Sequence, residues 1–193
     1  GIKERRWVND DKLSTSLMGT YAAEKAISDS GLDKNDIDFI IFSTLSPDYY
    51  FPGSGVLLQK NLGIKEVGAL DVRNQCSGFI YGLSIADQYI KSGMYKNILV
   101  VGSEIHSGGL DKSSRGRSVS VIFGDGAGAV VLDTADVSNS SPSRGILASK
   151  LHSDGRMHDA LYVNGGPGST QSSGVVKMDG KEVFKHAVVN MSN

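Results

Sequence analysis

The fold is decided by one stretch, residues 67–93, which reads VGALDVRNQCSGFIYGLSIADQYIKSG. Its first six residues form a largely apolar run, which is typical of a strand buried on both faces. A helix is predicted from Ser77 to Ser92, ending at Gly93, because apolar side chains recur on one stripe at Phe79, Leu83, Ala86 and Ile90. The stretch therefore predicts a strand, a turn and a helix, and Cys76 stands directly in front of the helix.

Two more strand-like runs, Ile37 to Phe42 and Ile98 to Gly102, start roughly thirty residues before and after this one. A helix is predicted between residues 14 and 30, with Thr15 or Ser16 as its cap and Gly31 at its end. A second is predicted from Ser54 to Leu62, after Pro52 and before Gly63. This spacing is that of a βαβ unit, so the first two-thirds of the chain predicts a parallel α/β sheet with right-handed crossovers.

The pattern changes near residue 119. Val119 to Phe123 and Ala127 to Leu132 are strand-like runs around Gly124-Asp125-Gly126, which predicts an antiparallel hairpin. The glycine run also resembles a phosphate loop, but a strand rather than a helix should follow it, so a tight turn is favoured. Beyond it we expect, in order, a surface loop at 134–144, a strand at Gly145 to Leu151, a long loop at 152–174 and a helix at Gly180 to Met191.

Composition and charge exclude several classes of protein. The chain has 193 residues, with 20 Lys and Arg against 21 Asp and Glu, and its net charge of −1 argues against a nucleic-acid or anionic-membrane binder. Its single cysteine excludes a disulfide framework and a Cys-based zinc site, and fits a reducing compartment. With no transmembrane run and no signal peptide in this sequence, we expect a cytoplasmic protein forming one compact domain.

Cys76 is the strongest candidate for chemistry. It follows a predicted strand and precedes a predicted helix, whose free amides and positive end favour a thiolate. A thiolate there can accept an acyl group, and Ser77-Gly78 leaves only small side chains beside the sulfur. The alternative is a buried structural cysteine, because free cysteines are among the most buried residues.

Two loops carry candidate binding residues. Arg115 and Arg117 follow a parallel strand, where arginine can grip phosphate or stack on a base; the alternative is a pair of solvated loop arginines. Tyr49, Tyr50 and Phe51 place three aromatics in a row. This run indicates a partner interface or a substrate channel, unless the loop folds over its own core.

The histidines are not assigned a role by the sequence. A Cys–His pair is assembled in space, so no local motif selects a base among His106, His152, His158 and His186. A metal site is not expected either, because His152 and His158 lie six residues apart and no helical pair has the spacing of ligands.

Taken together, several segments resemble β-ketoacyl-acyl-carrier-protein synthase III, a thiolase-fold condensing enzyme. In chain order they are Gly1 to Arg6, Asp71 to Phe79 with Tyr81-Gly82-Leu83 and Ala86-Asp87, Ile98 to Glu104, Phe123 to Ala129, Leu151 to Gly155 and Gly180 to Lys185. The resemblance implies an α/β, thiolase-like fold with a mixed, mostly parallel sheet. Residues 1–193 would be one clipped N-terminal half of a five-layer αβαβα architecture, lacking its first strand.

The resemblance also implies a mechanism in fatty-acid or related polyketide-type biosynthesis. Cys76 would be acylated by acyl-CoA, and the carbanion from decarboxylated malonyl-acyl carrier protein would attack the acyl-enzyme, with the Cys76 N–H serving the oxyanion. Phe51 matches an aromatic residue that crosses a homodimer interface to close the partner's primer pocket. Either Arg115 or Arg117 matches the arginine that packs on the CoA adenine. No metal, no other cofactor, no nucleic acid and no membrane is implied.

This sequence departs from the family pattern in three ways. Two extra residues before Phe123 make Arg115 and Arg117 equal fits, and Arg73-Asn74-Gln75 stands where small residues are expected. The His-Gln-Ala-Asn motif of the catalytic histidine does not occur in the 193 residues, so we expect them to be inactive in condensation by themselves. Two alternatives stay open: an acyltransferase that uses Cys76 without decarboxylation, and a non-catalytic subunit of a heterodimer, which the retained cysteine disfavours.

Overall fold

The computed structural model describes residues 1–134 and 145–192, so most of the loop predicted at 134–144 lies outside the described residues. The chain divides into two compact units. The sheet unit comprises Val8–Ile105 and Asp125–Leu151, and the hairpin unit comprises Gly1–Trp7, His106–Gly124 and His152–Asn193. The elements are α1 Thr15–Ser30, β1 Phe39–Ser43, α2 Ser54–Leu62, β2 Gly68–Val72, α3 Gly78–Lys91, β3 Ile98–Glu104, α4 Arg117–Ser120, β4 Gly126–Leu132, β5 Leu161–Gly165, β6 Ser173–Met178 and α5 Gly180–Ser192.

The sheet unit is built on a four-stranded sheet in the order β2-β1-β3-β4. β1 pairs in parallel with β2 on one side and with β3 on the other, and β4 runs antiparallel to β3. The predicted mixed, mostly parallel sheet is therefore confirmed. The carboxyl ends of β1, β2 and β3 share one edge, where the loops that follow parallel strands carry candidate functional residues.

Helices cover both faces of this sheet because the two central strands are apolar on both. Ile40 and Phe42 of β1 pack with α1 and α2, and the alternate residues Phe39 and Ile41 pack on the side of α3. Every residue of β1 is buried, as predicted, whereas β2 is an edge strand with Gly68 and Asp71 exposed. The prediction that β2 is buried on both faces was wrong, because no residue of β2 is fully buried.

Some of the helix ends follow local sequence signals and others do not. α2 spans the predicted residues, and Gly63 ends it with a φ of 61° in the left-handed region that favours glycine. The cap of α1 is Ser14, whose side chain accepts from the Leu17 N–H, and not Thr15 or Ser16. These two hydroxyls are buried inside the first turn and donate to Ser46 O and Asp48 instead, which sequence alone does not indicate.

The predicted hairpin around Gly124-Asp125-Gly126 was wrong. Residues 117–120 form the short helix α4, and β4 pairs with β3 from Ile98↔Leu132 to Glu104↔Gly126. The carbonyls of Ile122 and Phe123 accept from side chains, Arg5 Nε at 2.9 Å and Trp7 Nε1 at 2.9 Å, where a strand would have used a neighbouring backbone. The prediction that a strand follows the glycine run is confirmed.

The region after residue 145 also differs from expectation. Residues 145–151 form no strand, and Leu147 is 70% exposed, so its apolar side chain is not packed on a sheet. The predicted long loop at 152–174 contains β5, which pairs antiparallel with β6. All of β5 is exposed, and its sequence, Leu-Tyr-Val-Asn-Gly, does not alternate apolar and polar residues as a half-buried strand does. The predicted C-terminal helix is confirmed as α5.

In the hairpin unit, the N-terminal segment is attached through Trp7. Its Nε1 donates to Phe123 O, and the Lys112 ammonium lies 5.1 Å from the centre of its ring. The Asp179 N–H donates to Ala160 O at 2.8 Å, which links the two strands at the open end of the β5–β6 ribbon. Within the described parts of the chain, no helix is long and apolar enough to cross a membrane.

Candidate active site

Cys76 lies in a tight turn between β2 and α3. Gln75 to Ser77 form a 3₁₀ turn, and Gln75 has a φ of 46°, a left-handed conformation that is uncommon for residues other than glycine. Asn74 Nδ2 donates to Ser77 Oγ at 3.0 Å, and this hydroxyl donates to Asn74 O at 3.0 Å. The Cys76 thiol is free and exposed, so the alternative of a buried structural cysteine was wrong.

The seating of α3 on the sheet places this turn at the carboxyl edge. Gly78, Gly82 and Ala86 form a buried stripe of small residues at a spacing of four, which lets the helix approach β1 and β3 closely. A Cβ on Gly82 would lie 3.2 Å from carbons of both Ile41 and Val100. Ser43, the last residue of β1, donates through Oγ to Gly78 O at 2.9 Å. The start of α3, and Cys76 before it, is thereby held at the carboxyl ends of β1 and β2.

The aromatic loop, residues 49–53, is anchored at its base. Asp48 accepts from the Ser16 N–H at 3.0 Å, the Ser16 hydroxyl at 3.0 Å and the Ser54 hydroxyl at 3.1 Å. Phe51 is nevertheless 86% exposed and Tyr50 78% exposed. The alternative that this loop folds over its own core was therefore wrong, and three aromatic side chains project from a fixed base.

A second carboxylate at the same edge organises the loop that follows β1. Glu104, the last residue of β3, accepts from Thr44 Oγ1 at 3.0 Å, the Ser46 N–H at 2.8 Å and the Ser46 hydroxyl. The sequence indicated Glu104 only as part of a family segment and did not assign it a role. An acidic residue at the end of a buried parallel strand is the signal that could have identified it.

Arg115 and Arg117 belong to the hairpin unit, whereas Cys76 and Phe51 belong to the sheet unit. Arg115 lies in a 3₁₀ turn, Ser114–Gly116, and Arg117 begins α4; both side chains are exposed. Hydrogen bonds from Ser113 lower the pKa of the neighbouring Asp111 below its usual value, and the positive charge of Arg115 adds to this effect. The two arginines therefore present cationic groups on one exposed segment.

The histidines have ordinary surroundings. The His106 ring lies 5.0 Å from that of Phe123, and His186 Nε2 lies 3.6 Å from a carboxylate oxygen of Glu182. His152 and His158 are exposed. Across residues 1–134 and 145–192, no group of three His, Cys, Asp or Glu residues could hold a metal ion.

Known proteins are similar to this chain in sequence and in fold. The family described as 3-oxoacyl-[acyl-carrier-protein] synthase III matches residues 70–155. A β-ketoacyl-[acyl-carrier-protein] synthase III of Brucella anthropi is 47% identical over 188 residues, covering 97% of this chain and 57% of the relative. The corresponding protein of Rhodospirillum centenum is 46% identical over 193 residues and is covered to 58%. The chain thus spans somewhat more than half the length of these relatives.

Solved structures agree with these sequence matches. The 3-oxoacyl-[acyl-carrier-protein] synthase III of Aquifex aeolicus superposes with a TM-score of 0.83 at 38% identity, covering 95% of this chain and 55% of that one. The priming β-ketosynthase of the R1128 polyketide pathway superposes with a TM-score of 0.83 at 32% identity, covering 99% and 56%.

The mixed sheet with helices on both faces is the thiolase-like α/β fold, and an exposed cysteine stands before one helix of that fold. Within this class, the sequence matches over nearly all 193 residues are specific. The chain belongs to the 3-oxoacyl-[acyl-carrier-protein] synthase III family.

Proposed function

We propose that Cys76 is the acyl-accepting nucleophile of a condensing enzyme. The observation that carries the proposal is an exposed, free thiol in the turn directly before α3, whose N-terminus has no side-chain cap. The positive end of a helix favours a thiolate and the negative charge that develops on an attacked carbonyl. In the first step the thiolate attacks the thioester carbon of acyl-CoA, the bond to the CoA sulfur breaks, and CoA leaves as a thiolate that takes up a proton from solvent.

The second step would form the carbon–carbon bond. Malonyl-acyl carrier protein loses carbon dioxide, the resulting carbanion attacks the acyl carbonyl on Cys76, and the bond to Sγ breaks to return the thiolate. The Cys76 N–H would donate to the oxyanion in both steps. The names of the relatives, which are 3-oxoacyl-acyl-carrier-protein synthases, support this reaction for a longer parent protein. Acylation is the step that we assign to the residues of this chain.

The partners follow from the same proposal. The exposed cations Arg115 and Arg117 suit the phosphates and the adenine of CoA, because arginine both pairs with phosphate and stacks on aromatic rings. The exposed Phe51 suits a second copy of this chain, where an aromatic side chain on a fixed loop can enter a pocket. Acyl-CoA, acyl carrier protein and a homodimer partner are therefore the proposed partners.

Self-acylation tests the nucleophile without requiring condensation. The purified chain is incubated with acetyl-CoA, and its intact mass is measured beside that of Cys76→Ala. We expect the wild type to gain the mass of one acetyl group, which hydroxylamine removes as expected for a thioester, and the variant to gain nothing. An unmodified wild type, or equal modification of the two proteins, would sink the acyl-enzyme proposal.

A further inference from the structure

The carboxylate of Asp71 joins β2 to the start of α2. It accepts from the Ser54 N–H at 2.6 Å and from the Gly55 N–H at 2.9 Å, using one oxygen for each. The N-cap of α2, Gly53, provides no side-chain hydrogen bond. Asp71 therefore supplies from a neighbouring strand the cap that the helix lacks in its own sequence.

Two glycines make the space that this carboxylate occupies. A Cβ on Gly53 would lie 2.6 Å from a carboxylate oxygen of Asp71, and one on Gly55 would lie 2.9 Å from it. Gly53 has a φ of −64°, which any residue adopts, so its backbone does not require glycine. The room for the Asp71 carboxylate is thus the physical reason for glycine at this position.

This contact connects the two parts of the proposed site in the sheet unit. On one side, Ser54 closes the aromatic loop, since its hydroxyl also donates to Asp48 at 3.1 Å. On the other side, Asp71 is the second-to-last residue of β2 and stands five positions before Cys76. One carboxylate is therefore bonded to the base of the aromatic loop and continuous with the strand that leads to the thiol.

We propose that Asp71 is a positioning residue that sets the Cys76 turn and the base of the aromatic loop together. Its importance for catalysis rests on the proposed function of Cys76. When the carboxylate is lost, the N-terminus of α2 separates from the end of β2, and the turn that carries the thiol loses its fixed place before α3. The reactivity of Cys76 then falls although no residue of the turn has changed.

The test measures the thiol directly. The second-order rate of Cys76 alkylation by iodoacetamide is measured from about pH 6 to about pH 9 for wild type and Asp71→Ala. We expect the rate of the variant to fall about three- to tenfold across the profile, since misplacement of a reacting group has effects of at least this size. Amide hydrogen exchange should rise at residues 54–55 and 73–77.

A matched control separates positioning from loss of stability. Asp33 also caps a turn with its carboxylate, accepting from the Asn35 N–H at 2.8 Å, but it precedes β1 and so lies at the opposite edge of the sheet. Asp33→Ala should lower the free energy of unfolding, measured in urea, without moving the alkylation profile. Equal profiles for Asp33→Ala and Asp71→Ala would overturn the proposal.

Gly53→Ala breaks the same contact from the other side. Its Cβ displaces the carboxylate, so the rate should fall as in Asp71→Ala, and the double variant should be no slower than either single one. Additive effects would refute the proposal. The alkylation needs no acyl-CoA, so an inert Cys76 in the acetyl-CoA experiment would contradict the proposed function and leave this result standing. Unchanged alkylation in Asp71→Ala would contradict only the role of Asp71.

Discussion

At the scale of single residues, carboxylates that accept from backbone amides organise the candidate site. Asp48 accepts from a backbone N–H in the first turn of α1, and Asp71 accepts from one in the first turn of α2. Glu104 accepts from a backbone N–H in the loop after β1. Each satisfies a donor that would otherwise lie unpaired in a partly buried place, at a cost of about 1–3 kcal/mol. These three carboxylates therefore fix the backbone of the loops and first helical turns from which they accept hydrogen bonds.

The two exposed arginines give a prediction about CoA. Replacing the arginine that contacts CoA with alanine should raise the acetyl-CoA concentration for half-maximal acylation of Cys76 by about tenfold or more, because charge-assisted hydrogen bonds contribute about 1.5–3 kcal/mol. Arg115→Ala and Arg117→Ala are compared by intact mass over a titration, with Arg156→Ala as a control for loss of surface charge. Acylation that responds to neither substitution would argue against CoA binding by this segment.

Asp154 gives a prediction about pH. Hydrogen bonds from the Arg156 side chain, and then from its backbone N–H, lower the pKa of Asp154 from 3.8 to about 2. Since the pKa is depressed in the folded state, the stabilisation is present above pH 3.8 and is lost as the pH falls through about 2. The difference in urea stability between wild type and Asp154→Asn should shrink over that interval. In an Arg156→Ala background this difference in stability should change much less with pH. The same pH dependence in both backgrounds would contradict the role of Arg156 in lowering the pKa of Asp154.

At the scale of elements, the close approach of α3 to the sheet decides where its N-terminus stands. A Cβ on Gly82 would lie 3.2 Å from carbons of Ile41 and Val100, closer than ordinary van der Waals contact. The position of Cys76 at the carboxyl edge of the sheet depends on how closely α3 packs against β1 and β3. The small-residue stripe of α3 is therefore as important to the site as the turn itself.

Widening this stripe should unseat the helix. Gly82→Val is expected to lower the free energy of unfolding by about 1–3 kcal/mol, because an overpacked core forces side chains and backbone to shift. Gln88→Val, at an exposed position of the same helix, serves as the control and should cost only the difference in helix propensity, about half a kcal/mol. Urea denaturation measures the free energy of unfolding of both variants. Equal losses would show that the interface between α3 and the sheet tolerates a larger side chain at position 82.

At the scale of the whole molecule, the aromatic loop is a feature that the described residues leave exposed. Phe51, Tyr50 and Tyr49 are 86%, 78% and 60% exposed on a base held by Asp48. Large exposed aromatic groups on a fixed support are typical of protein interfaces, because little conformational entropy is lost when they bind.

The proposed homodimer can be tested through this loop. Phe51→Ser should weaken dimerisation about thirtyfold, since truncation of an aromatic anchor costs about 2 kcal/mol or more. Met94→Ser removes a 61% exposed apolar side chain elsewhere in the sheet unit and should leave the dissociation constant unchanged. Sedimentation velocity over a dilution series measures all three proteins. A monomeric wild type, or equal weakening by both substitutions, would contradict an interface at Phe51.

The sequence by itself determined the elements whose signals are local. Apolar runs placed β1 and β3, glycines in left-handed conformations ended α1 and α2, and the order of strand, turn and helix located Cys76. These signals lie within a few residues of the structure that they specify, because helix periodicity and capping are properties of neighbouring residues. Family segments extended the same information to the thiolase-like fold.

Only the tertiary structure decided what depends on residues far apart in the chain. It paired β4 with β3 rather than with residues 119–123, where residues 117–120 are helical and the carbonyls of Ile122 and Phe123 accept from Arg5 and Trp7. It left Cys76 and Phe51 exposed, and it placed the Asp71 carboxylate in the space beside Gly53. Strand pairing and burial are settled by which distant groups satisfy each other's hydrogen bonds and volume, and local sequence patterns carry no record of that choice.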